Sequence, residues 1–180
     1  MSVFISRDGG ISVFRVSVFV AIFGAIIVVA GLVIVEFERS ARRSPISVGV
    51  YPGAEQFHQN DRGSTRRERA FRIPGDDEVS VQAVADFYQS EMDSFYDNNP
   101  RDPNREQCSR NPRAGNFAGY EPGSGLIAYE FYCLFDDTSD LGGQRETIVT
   151  IYPGTSNDSD PEAFDSTGFT VVVYDEIWAP

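Results

Sequence analysis

The segment that organises this chain is Val16–Val35, VSVFVAIFGAIIVVAGLVIV, which contains no charged side chain. At about 1.5 Å per helical residue, the segment spans roughly 30 Å, the thickness of the hydrocarbon core of a bilayer. It therefore predicts one transmembrane helix. The run is longer than the apolar region of a cleaved signal peptide and ends without a small-residue cleavage site, so we interpret it as an uncleaved signal anchor.

This helix divides the chain into four parts. We expect a short N-terminal tail at 1–15, the transmembrane helix at 16–35, a charged linker at 36–45 and one soluble domain at 46–180. A domain of about 135 residues is large enough for a single hydrophobic core.

The arginines that flank the helix do not decide its orientation. Arg7 and Arg15 precede it, and Arg39, Arg42 and Arg43 follow it, so the positive-inside rule is nearly balanced. The N-terminal flank is too short to be a domain, and the soluble part contains two cysteines that an oxidising compartment would bridge. We therefore expect the N-terminus inside and the domain outside the cytoplasm.

Small residues recur every four positions along the predicted helix, at Ser17, Ala21 and Ala25. Small side chains on one face allow two membrane helices to approach closely, so this stripe is a candidate homodimer face. The alternative is that these residues only face lipid.

The composition is acidic and contains no lysine. The chain has a net charge of −12 and 15 basic residues, all of them arginine. From Pro45 onward, 24 acidic residues and 10 arginines give a net charge of −14. Such a surface repels nucleic acid and anionic lipid headgroups, so neither is an expected partner of the domain.

The arginines of the domain are concentrated in two clusters. The first contains Arg62, Arg66, Arg67, Arg69 and Arg72, and the second Arg101, Arg105, Arg110 and Arg113. A functional interpretation makes them a site for a carboxylate, phosphate or sulfated glycan. The simpler interpretation, which we favour, pairs them with the acidic C-terminal strands of the same domain or leaves them solvated.

The remaining pattern predicts an α+β domain in which one helix covers an antiparallel sheet of four to six strands. Apolar or alternating residues predict strands in 48–55, 65–73, 125–135, 144–152 and 168–178. The helix is predicted at 81–95, with Ser80 as its cap. Its expected buried stripe is Val81, Val84, Ala85, Tyr88, Met92 and Phe95.

The tripeptide Tyr-Pro-Gly occurs twice, at 51–53 and at 152–154. Proline followed by glycine suits the central positions of a type II turn. We therefore expect two strands that end in the same turn chemistry.

The order of these features resembles a group of small membrane-anchored or exported bacterial proteins. The features are the YPGA turn at 51–54, the V-x-x-FY helix motif at Val84, Phe87 and Tyr88, and a C-terminal G-x-T-x-V strand beginning at Gly168. The resemblance covers most of residues 48–178. It implies architecture and location, and it supplies no catalytic residues.

Two cysteines and one histidine limit the chemistry of the domain. Cys108 and Cys133 are 25 positions apart, which matches no zinc pattern, and we predict that they form a disulfide. Two free buried thiols are the alternative. His58 is expected to be a solvated loop residue.

Acidic residues alternate in two loops, at Asp158, Asp160 and Glu162 and at Asp136, Asp137 and Asp140. The first loop lacks the glycine and glutamate of an EF-hand, so only a looser calcium site is an alternative to acidic solvated turns. We find no catalytic constellation and no cofactor-binding motif, and we assign no metal ligand.

We therefore expect a non-catalytic module that binds an envelope protein or glycan, or has a structural role there. One alternative is a pilin-like subunit, although Arg15 stands where processing after Gly10 would call for glutamate. Another is a hydrolase of envelope glycans that uses paired carboxylates. Its sugar groove would be lined by the aromatic residues Tyr129, Phe131, Tyr132, Tyr174 and Trp178.

Overall fold

The computed structural model describes residues 13–97, 108–138, 143–156 and 165–179. The chain divides into two units, Met1–Ala41 and Arg42–Pro180. The predicted tail lies almost entirely outside the described residues.

The first unit contains helix α1, Val13–Ala41. Its segment Val16–Phe37 is long and apolar enough to cross a membrane, which is compatible with a membrane anchor or a signal sequence. Ser17, Ala21 and Ala25 are exposed on it. Since α1 continues to Ala41 and Arg42 belongs to the second unit, the residues predicted as a linker are divided between the two units.

In its described residues, the second unit is a six-stranded antiparallel sheet with one helix, which confirms the predicted α+β class. Its elements are β1 (Glu55–Asp61), β2 (Arg66–Pro74), α2 (Glu78–Asp97), β3 (Ser109–Asn111), β4 (Glu130–Asp136), β5 (Arg145–Pro153) and β6 (Phe169–Trp178). The strand order is β1-β2-β6-β5-β4-β3. After the hairpin β1-β2, the chain passes through α2 to the far edge and returns strand by strand until β6 lies beside β2.

Helix α2 begins earlier than predicted. The carboxylate of Asp77 accepts hydrogen bonds from the backbone N–H groups of Val79 and Ser80 at 3.0 and 3.1 Å. Asp77 is therefore the N-cap, and the prediction of Ser80 as the cap was wrong. Of the expected stripe, Val81, Val84, Ala85, Tyr88 and Met92 are buried and Phe95 is half-buried. Tyr96, which was not predicted, is also buried.

Two predictions for the start of the domain were wrong. Residues 48–51 are not a strand, although Ile46 and Val48 are buried. In this segment the Gly49 N–H donates to the Glu91 carboxylate at 3.2 Å rather than to a neighbouring strand. His58, predicted in a loop, lies exposed on β1.

Candidate functional site

The register of the sheet determines which side chains share a face. Thr150 on β5 lies opposite Tyr132 on β4 and Val173 on β6, and Val173 lies opposite Ala70 on β2. Directly opposed residues of antiparallel strands project to the same side. These four residues therefore form one row across the sheet.

This row belongs to the face that α2 does not cover, which we call the open face. Helix α2 packs on the other side, where Tyr88 and Met92 join Tyr174, Val149 and Cys133 in the main core. The apolar and neutral residues of the open face include Ala70, Tyr132, Leu134, Ile148, Thr150, Tyr152, Val171, Val173 and Ile177. Ala70 and Val171 are buried, yet they lie outside the main core cluster.

The open face is acidic as well as apolar. Its charged side chains are Glu55, Arg66, Glu68, Arg72, Glu130, Asp136, Glu146 and Asp175. Glu130 accepts a hydrogen bond from the Asn111 amide at 3.2 Å, and Glu146 accepts one from the Gln144 amide at 2.9 Å. Within the described ranges, neither of these two carboxylates forms an ion pair.

Two tyrosines, Tyr132 and Tyr152, lie on the open face among these acidic residues. Tyr132 is 38% exposed, and Tyr152 lies on the neighbouring strand. Burial raises the pKa of the Tyr132 phenol, and the carboxylates of Glu146 and Asp175 raise it further. Burial likewise raises the pKa of Tyr152, with smaller contributions from Glu68 and Glu130. Both phenols are therefore neutral at physiological pH.

All five arginines of the first cluster form ion pairs within the domain. Glu176 is 1% exposed and is held by two arginines, with Arg67 Nε at 2.6 Å and Arg69 Nη2 at 2.8 Å from its oxygens. The other three pairs are Arg62–Glu68, Arg66–Asp175 and Arg72–Glu55. The predicted pairing with the acidic C-terminal strand is confirmed for Arg66, Arg67 and Arg69. Arg62 and Arg72 pair instead with acidic residues of β2 and β1.

The second cluster is only partly described, because Arg101 and Arg105 lie outside the described residues. Arg110 donates to the carbonyls of Pro112 and Gly115 and stacks over the Tyr129 ring at 4.2 Å. Arg113 is exposed. Arg110 therefore stabilises its own loop.

The two cysteines are adjacent in the structure. The Sγ atoms of Cys108 and Cys133 lie 2.03 Å apart, which is disulfide-bond distance. Cys108 immediately precedes the edge strand β3, and Cys133 is buried at the centre of β4. The bond connects the segment that follows α2 to the sheet.

Of the candidate calcium ligands, Asp136 and Asp137 lie in the described part of the chain. Asp140, Asp158, Asp160 and Glu162 lie outside the described residues. The Asp137 carboxylate is 3.1 Å from Arg145 Nη1 and 3.7 Å from Arg42 Nη2. In the described part of the chain, no three His, Cys, Asp or Glu side chains form a group that could hold a metal ion.

The aromatic residues considered as a sugar groove are separated by the sheet. Tyr129, Phe131 and Tyr174 are buried in the core, whereas Tyr132 points to the open face. Tyr152, Glu130 and Glu146 were not singled out from the sequence. Because these residues alternate with buried ones along the same strands, the sequence places them on the opposite face of the sheet. It does not show which of the two faces is covered by a helix.

Comparisons with protein-family models, curated proteins and solved structures found no match for this chain. The helix, the cysteine pair and the open face are therefore the features that bear on function.

Proposed function

We propose that this protein is a single-pass membrane protein whose sheet domain lies outside the cytoplasm and acts as a non-catalytic binding module of the cell envelope. The observation that carries the proposal is the open face, the sheet surface that α2 does not cover, which combines apolar side chains with two carboxylates that form no ion pair among the described residues. Large apolar surfaces rimmed by polar residues are typical of protein interaction sites.

Two further observations support the location. The segment Val16–Phe37 is long and apolar enough to serve as an anchor. The cysteine pair at bonding distance fits an oxidising compartment, since disulfides are rare in the cytosol.

Single added cysteines test the topology, because the native pair is bonded and Cys133 is inaccessible. Ala83 is exposed on α2, so Ala83→Cys reports on the domain, and Ser6→Cys reports on the N-terminal tail. The full-length variants are expressed in a bacterial host, and spheroplasts are treated with a membrane-impermeant maleimide. We expect Ala83→Cys to be labelled at once and Ser6→Cys only after permeabilisation.

The reverse pattern would place the domain in the cytoplasm and refute the proposed location. Recovery of a shortened protein in the soluble fraction, rather than a full-length protein in carbonate-washed membranes, would identify the helix as a cleaved signal sequence. The wild-type chain, labelled only after reduction and denaturation, is the control for the native cysteines.

A further inference from the structure

Tyr132 shares the open face with Glu130, two residues away on β4, and with Glu146, four residues along β5 from Thr150. Tyr132 lies opposite Thr150, and Tyr152 follows two residues later on the same side of β5. Diagonal neighbours of this kind have their backbones about 7–8 Å apart. Glu130 alternates with Tyr132 on β4, so its carboxylate is on the same face.

This combination favours a cationic ligand. Tyrosine rings attract guanidinium and ammonium groups through their π-electron faces. Carboxylates that form no ion pair among the described residues gain charge-assisted hydrogen bonds when an arginine or lysine approaches. Glu130 and Glu146 meet this condition, whereas Glu68 and Asp175 are already paired with arginines.

Charge also argues against a second copy of this chain as the occupant. Two open faces brought together would oppose carboxylates with carboxylates. The first arginine cluster cannot supply complementary charge, because each of its five members is paired within its own domain. Anionic lipid and nucleic acid are disfavoured by the same negative field.

We propose that the open face binds a basic, extended polypeptide segment of a partner protein, whose arginine or lysine side chains contact Tyr132, Glu130 and Glu146. A sheet surface suits an extended segment because alternate side chains of the ligand project to one side. This inference rests on the proposed binding function and specifies the chemistry of its partner.

The test uses the full-length protein in nanodiscs of neutral phosphatidylcholine and a fluorescent octapeptide of alternating arginine and threonine. Binding is measured by anisotropy at low and high salt, with empty nanodiscs and a glutamate–threonine octapeptide as references. The test variant is Glu130→Gln with Glu146→Gln. The matched control, Asp86→Asn with Asp93→Asn, removes the same charge from exposed positions on α2.

We expect the basic peptide to bind and the open-face variant to weaken binding at least about ten-fold, with little change in the control. Tyr132→Thr, which keeps a strand-forming residue, should weaken it about three-fold by removing the ring. Near-ultraviolet circular dichroism checks that each variant is folded.

Equal losses in the test and control variants would mean that only net charge attracts the peptide, and would overturn the inference. Failure of the basic peptide to bind, or stronger binding of the acidic one, would overturn it too. A dimer of the wild-type chain that Tyr132→Thr dissociates would assign the face to self-association instead. A cytoplasmic domain would fail the labelling experiment but not this one, so the two proposals fail separately.

Discussion

The hydroxyl oxygens of Tyr88 and Tyr174 lie 2.6 Å apart in the buried core. Tyr174 donates its proton to the Gly49 carbonyl at 2.8 Å, and the Tyr51 N–H donates to the Tyr88 oxygen at 3.3 Å. Each hydroxyl thus donates once and accepts once. The chain of bonds connects α2, β6 and the segment that contains Gly49 and Tyr51.

Removing one hydroxyl should break this chain at a buried point. We expect Tyr174→Phe to lower the free energy of unfolding by about 1–3 kcal/mol, because Tyr88 and the Gly49 carbonyl lose a partner. Tyr152→Phe, on the open face, is the control and should change it by less than about 0.5 kcal/mol. Denaturant unfolding of the full-length protein in detergent measures both, and equal effects would contradict the role of the chain.

Glu176 is buried and forms ion pairs with two arginines, Arg67 and Arg69. Glu176→Gln should lower the free energy of unfolding by about 2–3 kcal/mol, because Arg67 and Arg69 keep their charge and lose their shared carboxylate. This is below the cost of breaking a fully buried pair, since both arginines are partly exposed.

The neighbouring residue Asp175 provides the comparison. It pairs with Arg66, whose side chain is 42% exposed, so solvent already screens the interaction. Asp175→Asn should therefore change the unfolding transition little. A larger loss for Asp175→Asn than for Glu176→Gln would show that burial does not determine which pair matters.

Loss of the covalent link between Cys108 and Cys133 should destabilise the domain. The two residues are 25 positions apart, so the chain-entropy model predicts a loss of about 3 kcal/mol for Cys108→Ser with Cys133→Ser. Unfolding is measured with and without a reducing agent. The reductant should lower the stability of the wild type and leave the double variant unchanged.

The N-cap of α2 should make stability depend on pH. A hydrogen bond from the Ser80 hydroxyl, together with backbone N–H bonds, lowers the pKa of Asp77 from 3.8. A carboxyl group with a lowered folded pKa stabilises the protein above its unfolded pKa and loses this effect as the pH falls through the folded value. Asp77→Ala should therefore melt at a lower temperature than wild type at pH 7, and the difference should shrink below about pH 4.

Thermal melts from pH 3 to 7 would measure this difference. Asp86→Asn, a carboxylate in the middle of the same helix, is the control and should show no such convergence. A difference between wild type and Asp77→Ala that is independent of pH would mean that the charge of Asp77 does not contribute to capping.

Local patterns predicted much of the fold. The apolar run predicted α1, the helical stripe from Val81 to Met92 predicted α2, and the runs at 144–152 and 168–178 predicted β5 and β6. These predictions were right because each depends only on the spacing of apolar residues along one element. The N-cap is Asp77 and not the predicted Ser80. Aspartate and serine are both favoured N-cap residues, so the sequence alone does not rank the two positions.

The two Tyr-Pro-Gly tripeptides show where a local pattern is enough to predict structure and where it is not. At 51–53 the expected turn forms, with Gly53 at a φ of 81° and the Ala54 N–H bonded to the Tyr51 carbonyl at 3.1 Å. At 152–154 the expected turn is absent, and the Gly154 N–H bonds to Phe169 of β6 at 2.7 Å. A Cβ at Gly154 would lie 1.8 Å from the Ser166 carbonyl oxygen. The Pro-Gly pattern predicted a turn at both places, which was right at 51–53 and wrong at 152–154. Local sequence cannot show that β5 pairs with β6, and it is this pairing that brings another backbone close to Gly154.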